Sequence, residues 1–150
     1  MKIESPILAD AAQAANGKLF ILGGGWSIYR SASYPVPVQL GLAFVVSLNA
    51  NEVGARYPLG ITIADEAGVP VVPPMQGQIN VGPPAPGSPK GSPIKMPFAI
   101  NIGVQVPRVG RYVIEIKAGS SKAQLEFDAI FVGTKVQLDF PPASGEEPGN

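Results

Sequence analysis

The sequence predicts an all-β fold, two antiparallel sheets packed as a β-sandwich of about eight or nine strands, with a closed β-barrel as the alternative. Three observations carry this. Val36, Val38, Leu40, Leu42, Phe44, Val46 and Leu48 occupy every second position, and Phe98, Ile100, Ile102, Val104 and Val106 repeat the pattern, which is the period of a strand with one buried face. Glycine and proline number 18 and 17 in 150 residues. In a helix interior they cost about 1 and 3 kcal/mol relative to alanine. Prolines near Val36, Val71 and Lys95 blunt strand edges, which a sandwich has and a barrel lacks. A chain of this length supports one core, so residues 1–140 are expected to form a single domain, followed by a polar tail, 141–150, of a composition usually mobile.

Taken in order, the first element is a hairpin of Pro6 to Ala15 with Lys18 to Gly24, because Asn16-Gly17 tolerates the positive φ of both central residues in a type I′ turn. Gly23-Gly24-Gly25 then lets the backbone kink or bulge, and Trp26, the only tryptophan, is aimed either inward as a core plug or outward as a contact. Ser27 to Pro37, with Tyr29 and Tyr34, reads as an irregular connection. Val36 to Leu48 is a long strand ended by Asn49, Asn51 and Gly54. Leu59, Ile61 and Ile63 resume the alternation up to a hairpin loop, Asp65-Glu66-Ala67-Gly68. Val69, Val71 and Val72 form an edge strand, since Pro70, Pro73 and Pro74 each remove a ladder donor, and residues 76–81 resume it after a break.

Gly82 to Pro93 is a low-complexity segment that favours polyproline-like conformation, and Pro83, Pro86 and Pro89 stand at PxxP spacing. It is either a docking segment or a solvent loop. Phe98 to Val106 and Tyr112 to Ile116 form a hairpin about Pro107-Arg108-Val109-Gly110. After a turn at Ala118 to Ser121, Leu125, Phe127, Ala129 and Phe131 make the next buried face, and Val136, Leu138 and Phe140 a last short strand.

Composition removes several chemistries. Cysteine and histidine are both absent, which excludes disulfides, thiolate nucleophiles, the usual zinc sites and any triad with an imidazole base. Eleven basic and eleven acidic side chains cancel and lie scattered, so no nucleic-acid partner is expected. Arg108, Arg111 and Lys117 come closest to a basic cluster and read as a solvated strand face. No apolar run approaches a membrane span, and no cleavable leader is evident, so a soluble cytoplasmic protein without a membrane partner is expected. Gly23-Gly24-Gly25 matches neither glycine fingerprint of nucleotide sites, and no helix follows to hold an anion. No cofactor and no metal site is implied.

What remains are aromatic and polar candidates. Trp26, Tyr29 and Tyr34 lie close together in a glycine- and proline-rich connection from which rings could stack on a sugar or fill a partner's pocket, or else close one end of the sandwich. Asp10 falls in an alanine-rich strand and is expected to be partly buried near Gln13, held by a structural hydrogen bond. Lys18 beside the turn is expected to be exposed.

Ala9-Asp10-Ala11-Ala12-Gln13 followed by Gly17-Lys18-Leu19-Phe20-Ile21-Leu22-Gly23-Gly24-Gly25-Trp26 resembles the N-terminal signature of an uncharacterised family of small bacterial proteins. The strand Gly110-Arg111-Tyr112-Val113-Ile114-Glu115-Ile116 is similar to theirs too. The resemblance implies a bacterial or phage origin and no known activity.

The function expected is non-enzymatic: a binding or self-assembling module whose partner is a protein or a second copy, suited by near-zero net charge and a valine-rich edge. One alternative is a carbohydrate-binding module using Trp26, Tyr29 and Tyr34. A further one is an enzyme relying on Asp10 or Lys18.

Overall fold

The computed structural model describes residues 1–133; the strand expected at Val136, Leu138 and Phe140 and the tail 141–150 lie outside the described residues. Among the described residues there are nine strands: β1 (Lys2–Ala15), β2 (Lys18–Gly24), β3 (Ile28–Ser31), β4 (Val36–Leu48), β5 (Arg56–Asp65), β6 (Met75–Asn80), β7 (Ile94–Val106), β8 (Gly110–Ala118) and β9 (Ser121–Phe131). The one helical segment among the described residues is a short 3-10 turn, Ala50–Glu52. The strands form two sheets, ordered β2-β1-β4-β7 and β3-β9-β8-β5-β6, and neither closes into a barrel. The protein is an all-β two-sheet sandwich.

The alternation of apolar residues builds the space between the sheets. Val38, Leu40, Leu42, Phe44, Val46 and Leu48 of β4 face Ile61 and Ile63 of β5, Ile114 and Ile116 of β8 and Phe127 of β9 in one buried cluster. Each such side chain contributes roughly 1.5–3 kcal/mol by leaving water. Phe44 stacks on its cross-strand partner Phe98 at 5.4 Å, and Tyr112 stacks on Phe127 at 5.2 Å. The buried Tyr112 hydroxyl donates to the Arg108 carbonyl at 2.7 Å, tying the β7–β8 turn to the core in the manner of a tyrosine corner.

Asn16 and Gly17, at φ 52° and 70°, make the expected turn between β1 and β2, with Ala15 opposite Lys18. β1 begins earlier than Pro6. It runs from Lys2, passing Pro6 through an irregularity between Glu4 and Ile7 where Ser5 sits at φ 49°.

Four further expectations are corrected. Phe98 to Val106 and Tyr112 to Ile116 do not pair as a hairpin, because β7 belongs to one sheet and β8 to the other, and the turn between them carries the chain across the core. Residues 27–37 are not wholly irregular, because β3 pairs with β9, and it does so in parallel, the only parallel pair among the described strands. The valine-rich stretch is not itself a strand. Asp65 accepts from the Ala67 and Val69 amides at 3.0 and 2.9 Å and closes the loop, only Pro70 forms a bridge, and the edge strand starts at Met75 beyond the prolines. The Gly82 to Pro93 segment is folded by turns from Ala85 onward. Gly87 and Gly91 take φ 83° and 80°, and the Ser88 and Ser92 amides donate to Ala85 and Pro89 carbonyls, so the Pro86 to Pro89 interval is not an extended polyproline run.

Candidate functional site: a projecting hairpin with a free edge

Only the first part of β1 belongs to the body of its sheet. Its pairing with β4 ends at Ala9 opposite Gly41, after which Ala11 to Ala15 pair with β2 alone. At that point β1 crosses β4. A Cβ built on Gly41 would stand 2.7–2.9 Å from backbone atoms of Ala11, so the absent side chain is what gives the crossing strand its room. Gly41 and Asn101 are cross-strand partners on the outer faces of β4 and β7, opposite the core residues Leu40, Leu42 and Ile102.

Asn101 holds the crossing strand. Its carboxamide accepts from the Ala12 amide at 2.9 Å and donates to the Ala12 carbonyl at 2.8 Å. Both backbone groups of Ala12 therefore point away from β2. That phase agrees with the hairpin: a two-residue turn makes Ala15 and Lys18 a hydrogen-bonded pair, and alternation then leaves Ala12 opposite Ile21 as a non-hydrogen-bonded pair. The hairpin meets the sheet by its β1 edge, and β2 is its far edge.

By the same alternation, the amides and carbonyls of Leu19 and Ile21 face outward along that edge, while those of Lys18, Phe20 and Leu22 are spent on β1. The side chains there are large and apolar yet open to solvent, with Phe20 54%, Ile21 41% and Leu22 71% exposed. A groove of about 500 Å³ runs beside the ribbon, between residues 11–13, residues 20–22 and Asn101. The other sheet edges carry protection that β2 lacks. β7 has Lys95 and Pro97, β6 is polar through Gln76, Gln78 and Asn80, and β3 is four residues long. Between Leu19 and Leu22 there is no charge and no proline.

The residues singled out from sequence lie around this hairpin and at one end of the sandwich. Asp10 and Gln13 are exposed, which corrects the expected burial. The reason is that both stand beyond the point where β1 leaves the sheet. The Asp10 carboxylate lies over Gly23, where a Cβ would collide with its Oδ2, and Gly23 itself has φ 60°. Lys18 is exposed at the turn end of β2, at the opposite end of that strand from Gly23, so the hairpin does not bring it together with Asp10.

Trp26 is half-buried and packs against the core, its ring meeting Phe127 edge-on at 5.7 Å and Tyr29 at 6.3 Å with a 50° tilt. Tyr29 and Tyr34 are also half-buried, and the Tyr34 hydroxyl donates to the Ile130 carbonyl at 2.8 Å. The tilt means that Trp26 and Tyr29 do not share one flat face. The indole Nε1 is buried without a hydrogen-bond partner among the described residues.

Each of the three basic residues is paired. Arg108 donates to Asp65 at 2.7 Å, Arg111 to Asp128 at 2.9 Å, and Lys117 lies 2.8 Å from Glu115. The hydrogen bonds from Arg111 and Lys117 hold the Asp128 and Glu115 carboxyls below their ordinary range. No group of three or more acidic, histidine or cysteine side chains that could hold a metal occurs among the described residues, and no helix there is long and apolar enough to cross a membrane.

Sequence reasoning missed Gly41 and Asn101. Their signal was a missing side chain and a carboxamide at partnered positions on the outer faces of the two longest alternations.

Fold and site together define a two-sheet β-sandwich that carries a projecting ribbon with one edge unpaired among the described residues. Residues 4–128 match a family of unknown function (DUF6941), and with most of its length matched the chain belongs to that family. No curated protein matches the chain.

Proposed function

We propose that this protein is a non-enzymatic binding module that takes up an extended protein segment along the free edge of β2. The observation that supports it is the row Phe20, Ile21 and Leu22, exposed by 54%, 41% and 71% on a strand with one edge unpaired among the described residues. Water satisfies the outward amides and carbonyls of Leu19 and Ile21 but not the apolar side chains around them. An added strand satisfies both, through ladder hydrogen bonds and by covering apolar surface. The ribbon is held from behind by Asn101 and given room by Gly41, so the edge is presented in extended form before a partner arrives, which lowers the ordering cost of binding. A bacterial or phage protein working in the cytoplasm is the setting that the sequence suggests for it.

The test is a displayed library of random linear peptides, panned on the wild-type protein and on Ile21→Pro. The Ile21 amide faces outward, so proline there removes an edge donor and no bond to β1. The reading expects enriched peptides with alternating apolar residues that bind the wild type and lose binding to Ile21→Pro, at unchanged circular dichroism. Enriched peptides that bind both proteins alike overturn it, as does the absence of enrichment at a concentration where the wild-type chain is monomeric in sedimentation.

A further inference from the structure

We infer that the strand received by β2 is β2 of a second copy of this chain, paired antiparallel about a two-fold axis at Phe20. This rests on the reading of β2 as a docking edge and names its occupant.

The usable edge is short and bounded on both sides. The Asn16-Gly17 turn ends it before Lys18, and Gly23, at φ 60°, leaves the extended region after Leu22. The five residues between are centred on Phe20. A second copy laid antiparallel on the same five residues ends where the edge ends, whereas a longer foreign strand would run past both boundaries without partners.

The hydrogen-bond phase has the same centre. The outward-facing residues, Leu19 and Ile21, are symmetric about Phe20, so Leu19 of each copy meets Ile21 of the other and both pairs exchange amide and carbonyl bonds. Phe20 then faces its own copy at the closer, non-hydrogen-bonded position, where aromatic pairs contribute most. Lys18 lies opposite Leu22, its stem over an apolar side chain.

Electrostatics raise no objection. Lys18 is the only charge on β2, the two-fold keeps it away from its copy, and net charge near zero removes long-range repulsion between chains. Such an interface is isologous and closes on itself, using up both free edges, so it stops at a dimer. Five residues a side is a small contact, so association depends on concentration within the range of ordinary solution work.

The chain contains no cysteine, which makes single-cysteine variants clean reporters. In this register Phe20→Cys places two sulfurs on facing positions about 4.5 Å apart at Cα, within disulfide range, while Leu22→Cys places them four residues apart, roughly 14 Å along the strand. The expected result is a mass that shifts from monomer toward dimer with concentration in sedimentation, loss of that shift in Ile21→Pro and in Phe20→Lys, and mild oxidation that cross-links Phe20→Cys but not Leu22→Cys. Cross-linking of Leu22→Cys as readily as Phe20→Cys overturns the register. A monomer mass at every concentration without Phe20→Cys cross-linking overturns the second copy as occupant. In that last case, library peptides that still need Ile21 leave the docking edge standing; peptides indifferent to Ile21→Pro remove it as well.

Discussion

The Asn101 side chain forms two hydrogen bonds with the backbone of Ala12, accepting at 2.9 Å and donating at 2.8 Å, across 89 positions of sequence. It imitates an additional strand residue, and it is the side-chain anchor of the ribbon that carries β2. Replacing it by alanine leaves a part-buried amide and carbonyl without partners, at about 1–3 kcal/mol. Asn101→Ala is expected to speed amide hydrogen exchange in residues 11–22 while leaving β8 and β9 protected. Uniform loss of protection across the chain would contradict a local role.

Gly41→Ala is expected to lower stability by about 1–3 kcal/mol in urea unfolding, because the new methyl group would meet Ala11 backbone, which cannot rotate away. Gly60→Ala is the control. Nothing lies within 4 Å of a Cβ there, so it should be neutral or slightly stabilising.

The acid limb of stability should be shaped by carboxylates held in their charged form. The Glu52 carboxyl lies below its ordinary 4.5, chiefly because the Asn49 amide donates to it at 2.7 Å, with the Tyr57 hydroxyl and the Met1 ammonium adding to the effect. Lys95 does the same for Glu4. A lowered folded pKa means that the unfolded chain takes up protons first as pH falls. The stabilisation is therefore complete above the unfolded carboxyl range and is lost as pH drops through the folded values. Glu52→Gln should flatten this part of the profile in thermal melts from pH 6 to 3, and an unchanged slope would count against the contact network.

Trp26 separates packing from polarity. Trp26→Ala removes the edge contact with Phe127 and should destabilise by about 2–4 kcal/mol. Trp26→Phe keeps an aromatic edge there and discards an indole N–H that has no described partner, so it should stay within about 1 kcal/mol of the wild type. Parallel denaturant curves for the two variants decide this. An equal loss in both would mean that the N–H is bonded in solution.

Much of the architecture was readable before folding because it is local. The Asn16-Gly17 turn and the two long alternations depend on residues one or two positions apart, and each is found in place; the turn at Pro107 to Gly110 is equally local, but which sheet the chain enters after it is not, and there it crosses between sheets instead of closing a hairpin. The valine-rich segment misled because apolar content names a strand only when its amides are free to pair: Val71 donates to the Ile63 carbonyl of β5, but the Val69 amide turns to the Asp65 side chain, and Pro70, Pro73 and Pro74 have no amide hydrogen to give. β3 was hidden because a parallel pairing four residues long, to a strand about a hundred positions away, leaves no pattern of its own. The run from Lys18 to Gly24 was legible as a strand, but nothing in it says whether its outer side is covered.

The sequence by itself determined the class: side-chain direction alternates along an extended backbone, so apolar spacing specifies buried faces, and glycine and proline specify the bends. Only the tertiary structure decided which strand is left with an open side. That depends on Gly41 and Asn101 meeting Ala11 and Ala12 across long stretches of chain, and such a meeting is a property of packing in space, with no counterpart in the order of neighbouring residues.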